Sequence, residues 1–266
     1  MKGANMKKAY LIGMSDGKKA SDRARLQQVC RQIQSLNLFD EVIIHPSVYV
    51  DRKTNRTLDP VIRGEIFMQL ATNPDTTALF DVSGGELCNG VLPYLDWEKL
   101  ANCNCTLYGY SDVSVLLNAI ADKTTIKVWY FPVMTVENSE IQLKKLQKTL
   151  IEPISFMESL RGGNVRCTLK MAGTQYFSKT SVHTWLFESF SGRCKRIESS
   201  LTQYEQLGVF QSVKKVVVGR FNEIEENGEV EQLHQLFFEL QKRYSFELEF
   251  REDIGHILEA TPVFYG

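Results

Sequence analysis

Short apolar runs and amphipathic stretches alternate through the first 150 residues, and no other feature constrains the fold as strongly. Residues 9–12 read as a strand and 24–35 as a helix. Residues 41–45 are strand-like, 59–71 helical, and 77–82 form another apolar strand with Gly84 and Gly85 behind it. A short run at 97–100 follows, then a strand at 106–110, a helical pattern after Ser111 (Val115, Leu116, Ala119, Ile120), and a strand at 127–131. Strand and helix in turn imply an α/β fold: an open, mostly parallel sheet flanked by helices. Ligands in such sheets sit beyond the carboxyl ends of the strands, where Gly84-Gly85 and Ser111 both fall.

The pattern then changes. Residues 137–150 form a polar, lysine-rich amphipathic stretch that leads to Pro153, which places a linker there and divides the chain into 1–150 and 151–266. Beyond it, Gly162-Gly163-Asn164 reads as a turn, 165–171 as a strand-like run and 185–187 as a short apolar strand. A helix is predicted over 196–207, a continuous apolar strand over 213–219, an amphipathic helix over 230–244 and an alternating strand over 246–250. The expectation is a smaller β-rich C-terminal domain docked on the α/β one.

Composition removes several function classes. The 266 residues carry a formal charge of −1, which leaves no global electrostatic case for nucleic acid or an anionic membrane. No apolar run is long enough to span a membrane, and the N-terminus lacks the apolar core of a signal peptide, so a cytoplasmic protein is expected. Six cysteines without a Cys-x-x-Cys pair read as reduced thiols, and Cys103 and Cys105 are wrongly spaced for zinc. No metal or cofactor is expected. No Gly-x-Gly-x-x-Gly or Walker loop follows the first strand, which disfavours a nucleotide-binding α/β protein.

Residues 107–117 read as strand, sharp turn and helix, with Ser111 at the turn. Such a serine exposes its hydroxyl above a sheet edge, as in the nucleophile elbows of serine hydrolases, although Gly-x-Ser-x-Gly is absent. Gly109 supplies the close backbone approach that the turn needs. The bland reading of Ser111 is a helix N-cap. A nucleophile needs a base and a group to orient it. Four histidines are available: His45, His183, His234 and His256, each of which taken alone reads as structural. His256 follows Gly255 on a loop after an apolar strand, and Glu188 stands at the end of the run 185–187. The order Ser, Glu, His occurs in several convergent hydrolases.

At this point the residues resemble the LD-carboxypeptidase family of serine peptidases, which includes the microcin C immunity proteins. Ser83-Gly84-Gly85 with Leu92-Pro93-Tyr94-Leu95-Asp96 looks like the family's glycine pair and its Leu-Pro-Tyr-Leu-Asp. Gly109-Tyr110-Ser111-Asp112 is similar to the nucleophile turn, and Gly162-Gly163-Asn164 to the opening of the second domain. Leu186-Phe187-Glu188 with Arg196-Ile197-Glu198 and Leu201, the run from Val216 to Phe221, and Gly255-His256 with Pro262 and Gly266 follow in the family's order. The resemblance covers nearly the whole chain.

Carried over position by position, it implies Ser111 as nucleophile, His256 as base and Glu188 as its orienting partner. The backbone N–H groups of Gly85 and Asp112 would form the oxyanion hole. The implied activity is a serine carboxypeptidase that hydrolyses an amide near a free carboxylate, in a murein peptide or a peptidyl-nucleotide. The implied assembly is a homodimer, with the site in the cleft between the domains.

Two departures bear on the substrate and the fold. Many cell-wall members carry Arg-Gly-Gly-Tyr-Gly where this chain has Ser83-Gly84-Gly85-Glu86-Leu87, and Cys88-Asn89-Gly90 looks more like the microcin-immunity branch. The chain ends at Gly266, so the last strand of the second domain is expected to be shortened or absent. The competing reading is an inactive relative that acts as a binding or regulatory protein. The presence of all three triad residues favours the enzyme.

Overall fold

Side chains of β1 (Lys8–Ile12) alternate between two cores, Ala9 and Leu11 entering one and Tyr10 and Ile12 the other. A strand buried on both faces needs helices on both sides, and the chain supplies them. The computed structural model describes residues 6–152, 160–177 and 182–266. After β1 come α1 (Arg23–Gln34), β2 (Glu41–Ile44), α2 (Pro60–Ala71), β3 (Thr76–Asp81), α3 (Trp97–Leu100) and β4 (Thr106–Gly109). Next are α4 (Ser114–Lys123), β5 (Lys127–Tyr130), α5 (Glu140–Ile151), β6 (Leu160–Asn164) and α6 (Val165–Thr168). The remainder is β7 (Thr184–Ser189), α7 (Cys194–Gln206), β8 (Lys215–Phe221), α8 (Asn222–Glu226), α9 (Val230–Tyr244), β9 (Glu247–Phe250) and β10 (Val263–Tyr265).

The first sheet has the order β10-β5-β4-β3-β1-β2, parallel throughout except for β10, which runs antiparallel to β5. Strand order reverses between β1 and β3, the switch point near which such sheets bind ligands, and the loops after those strands are tied together there, Asp16 N donating to the Gly84 carbonyl at 3.1 Å. α1 covers one face with Leu26, Val29 and Ile33, spaced to lie on one side of the helix. α2 and α4 cover the other with Phe67, Leu70, Leu116 and Ile120.

The second sheet, β6-β7-β8-β9, is wholly parallel, and α7 and α9 pack on one face of it. Its strands also alternate. Trp185, Phe187, Val216 and Val218 enter this part's own core, while Leu186 and Val217 join the core of the first sheet. The seam between the two sheets is therefore apolar, and the period of two that turns Leu186 towards it turns Glu188 the same way.

Several elements depart from the sequence reading. Residues 165–171, expected as a strand, form α6 and a 3-10 turn at Leu169–Met171, because Asn164 Oδ1 accepts the Cys167 N–H at 3.2 Å and starts a helix. Gly162 and Gly163, expected in a turn, lie within β6 at φ of 107° and 106°. A Cβ on Gly162 would stand 2.1 Å from the Leu186 carbonyl oxygen, so glycine here answers to close approach. The strand expected over 213–219 begins and ends two residues later, as β8. β10, at Val263–Tyr265, joins the first sheet and not the second. Pro153, taken as the linker mark, lies outside the described residues. Among the described residues no helix is long and apolar enough to cross a membrane.

Candidate active site

β4 ends at Gly109, Tyr110 is extended, and Ser111 then takes φ of 56° before the 3-10 turn Ser111–Val113 leads into α4. A left-handed backbone on a residue with a Cβ is strained, and such strain concentrates at functional sites. Gly109 permits the reversal, since a Cβ there would lie 2.6 Å from Val113 Cγ1. Ser114 Oγ donates to the Ser111 carbonyl at 2.5 Å and accepts from Asn164 N at 3.1 Å, tying the turn to β6.

Glu188 is fully buried at the end of β7. Parallel register sets Asn164 beside it, and Asn164 Nδ2 donates to Oε1 at 3.2 Å. Tyr130, beside Gly109 in the other sheet, donates its hydroxyl to the same oxygen at 2.7 Å. Oε2 meets His256 Nδ1 at 2.7 Å. Three partners compensate the desolvation of a buried carboxylate. Burial, then the Glu188 charge, pushes the Tyr130 hydroxyl far above its ordinary pKa, so it remains a donor.

His256 follows Gly255, whose φ of 146° only glycine takes freely and where a Cβ would meet Arg220 Cβ at 2.7 Å. Asn222 Nδ2 holds the His256 carbonyl at 3.1 Å. The ring lies against Tyr110 (centroids 4.5 Å apart) and the exposed Phe190 (5.2 Å). Nδ1 is engaged by Glu188, and in the tautomer that donates there Nε2 carries the free lone pair. His256 thus adjoins the residue before Ser111, although among the described residues no hydrogen bond joins its ring to Ser111 Oγ. His45, His183 and His234 lie elsewhere: His45 caps a 3-10 turn through Ser47 N, His183 precedes β7, and His234 packs on Phe250 from α9.

Gly85 has φ of 124°, and a Cβ there would strike the Asp16 carboxylate at 2.3 Å. Asp112 lies in the first turn after Ser111, where backbone N–H groups lack helical acceptors. Its buried side chain accepts from Ser15 Oγ (2.5 Å) and Cys88 N (2.9 Å) through Oδ2 and pairs with Lys170 through Oδ1 at 2.6 Å. Burial pulls the Lys170 ammonium down, but its bonds to Asp112 and Glu86 outweigh that and hold its pKa above the ordinary value.

Sequence reasoning did not assign roles to Tyr130, Asn164, Asn222 or Lys170. Asn164 carried a signal in the Gly-Gly-Asn motif; the others look like ordinary strand and helix residues.

The arrangement sets a strained Ser111 next to Tyr110, against which the His256 ring held by Glu188 packs. The chain is 35% identical over 72 residues to the microcin C7 self-immunity protein MccF of Escherichia coli, a stretch covering 27% of this chain and 21% of that protein, far below two thirds of the relative's length. The muramoyltetrapeptide carboxypeptidase from Oxalobacter formigenes superposes with a TM-score of 0.80 at 22% identity, over 97% of this chain and 93% of that one. MccF in complex with glutamyl sulfamoyl guanosine gives 0.81 at 15% identity, over 99% and 92%. Residues 9–131 match the LD-carboxypeptidase N-terminal domain and residues 159–266 the LD-carboxypeptidase C-terminal domain, and the chain belongs to that family.

Proposed function

We propose that this chain is a serine carboxypeptidase in which Ser111 Oγ attacks an amide carbonyl, His256 Nε2 takes the hydroxyl proton, and Glu188 holds the ring and offsets its charge. The N–H groups of Gly85 and Asp112 take the oxyanion of the tetrahedral intermediate, a contribution worth about 100-fold or more in rate per donor. His256 then gives the proton to the leaving amine, and water repeats the sequence on the acyl-enzyme. The observation that carries this reading is the 2.7 Å His256–Glu188 pair lying against Tyr110, next to a serine held at φ of 56°. The substrate class is an amide close to a free carboxylate, in a murein-type peptide or a peptidyl-nucleotide like the glutamyl sulfamoyl guanosine bound by MccF. The reading also divides the chain into domains 1–150 and 151–266, with Ser111 from the first and Glu188 and His256 from the second meeting at the cleft.

The test is mass spectrometry of murein tetrapeptide and of an aminoacyl-sulfamoyl adenylate after incubation with the wild type and with Ser111→Ala. Cleavage of one by the wild type alone supports the proposal. Equal cleavage by Ser111→Ala, or none by either protein, overturns it.

A further inference from the structure

Glu86 follows Gly85, and its side chain, 61% exposed, reaches two cations: Lys170 Nζ at 2.7 Å and Arg166 Nη2 at 3.9 Å. An ammonium has three donors, and Lys170 uses them on Asp112 Oδ1 (2.6 Å), the Glu86 carbonyl (3.0 Å) and Glu86 Oε2. The first two acceptors are a buried carboxylate and a backbone oxygen. Only the third is an exposed, rotatable side chain. Arg166, one third exposed, donates through Nη1 to Ser191 Oγ at 3.1 Å, and among the described residues its other guanidinium N–H groups make no hydrogen bond. Two cations, one of them fixed in place, thus hold a carboxylate that solvent can reach.

The position is as informative as the charge. α6, which carries Arg166, packs against the turn Ser111–Val113. Lys170 is bonded to the residue after Ser111, and Glu86 adjoins Gly85. The cations therefore stand beside the turn that carries the candidate nucleophile and beside the residue after Gly85. In a peptide whose scissile carbonyl sits on Ser111, a C-terminal carboxylate lies one residue further along, ~3.5 Å.

We propose that Arg166 and Lys170 form the seat of the substrate's free carboxylate, and that Glu86 fills it until substrate displaces it. This rests on the carboxypeptidase reading. Displacement is easy because Glu86 is held only through an exposed, rotatable side chain whose ion pairs solvent screens. An incoming carboxylate releases Glu86 to water, takes the third Lys170 donor, and offers Arg166 a bidentate partner in place of the 3.9 Å pair.

Binding to Ser111→Ala protein by calorimetry tests the seat apart from turnover, with a murein tetrapeptide ending in a free carboxylate and its C-terminal amide as probes. The acid should bind at least tenfold more tightly than the amide. Adding Arg166→Gln should reduce that preference about tenfold, with Arg166→Lys restoring part of it. Adding Glu86→Gln should strengthen acid binding about threefold, since the internal competitor is gone. A merely structural role for the cluster would make both changes weaken binding. Equal binding of acid and amide, a preference that survives Arg166→Gln, or weaker acid binding in Glu86→Gln overturns the proposal. If the wild type cleaves neither probe while Arg166 still sets the preference, the hydrolase reading fails and the seat stands.

Discussion

A Cβ held at φ of 56° costs Ser111 roughly 1–2 kcal/mol, which its surroundings must offset. Ser111→Ala keeps the Cβ and should melt with the wild type while losing hydrolysis. Ser111→Gly should also be inactive but more stable by about 1 kcal/mol, a rise of roughly 2 °C in Tm by calorimetry. If the glycine variant melts no higher than the alanine variant, the turn is not strained. Tyr130→Phe removes one of the three Glu188 donors. It should lower kcat more than it raises KM, because the carboxylate that holds the His256 ring loses a donor that fixes its orientation. An unchanged kcat would show that the Tyr130 hydroxyl does not orient Glu188. Ser111, Glu188 and His256 carry local marks in the sequence: a turn after an aromatic strand, a carboxylate at the end of an apolar run, and a glycine before a histidine. Tyr130 carries none, because β5 reads as a plain strand and its hydroxyl gains a role only when two sheets meet.

At the scale of elements, the loops after β1 and β3 are joined by Asp81 at the end of β3. Its Oδ2 accepts Met14 N at 2.8 Å, and its Oδ1 accepts Ser83 N at 2.8 Å and Ser83 Oγ at 2.5 Å. Burial pushes its pKa up to about 6, against those bonds. The unfolded value is about 3.9, so between roughly pH 4 and 6 the folded chain keeps a proton that the unfolded chain has released. Stability from this group therefore falls as pH rises through that window, by an amount on the order of 3 kcal/mol. Asp81→Asn should flatten the slope of Tm against pH between 4 and 6, and an unaltered slope would remove Asp81 as its source. Helices and strands with a sustained pattern were legible: the helix over 230–244 has the bounds read from its periodicity. The failures have a common cause. A short apolar run such as 165–171 fits a strand or a helix equally, and only the Asn164 cap, a local bond invisible to periodicity, decides. Two glycines read as a turn because the neighbours that demand them, Leu186 for Gly162 and Ser114 with Tyr265 for Gly163, are distant in sequence.

At the scale of the molecule, the two sheets are bound by side chains that cross between them. Leu186 and Val217 leave their own sheet's core for the other, and Tyr265 from β10 stacks on Tyr130 (6.0 Å, 10° between planes) while its hydroxyl donates to the Gly162 carbonyl at 2.9 Å. Tyr265→Ala should destabilise the whole chain by about 3–5 kcal/mol as a buried aromatic deletion. It should also reduce kcat, because Tyr130 loses its support. Thermal denaturation and turnover should fall together; loss of stability with full activity would separate the stack from the site. The alternation that announced the first sheet was legible, but a three-residue strand at 263–265 that joins it was not, since so short a segment has no period to read.

That late strand sets the order of events during synthesis. β10 pairs with β5 along Val263–Tyr130, Phe264–Trp129 and Tyr265–Val128, partners more than 130 residues apart. The first sheet emerges early from the ribosome, yet one edge has no partner until residues 263–265 arrive. Through that interval β5 offers open backbone donors and acceptors to any extended neighbour, a hazard that grows with the wait. A nascent chain halted at residue 150 should accordingly aggregate or stay bound to chaperones, and release should coincide with arrival of β10.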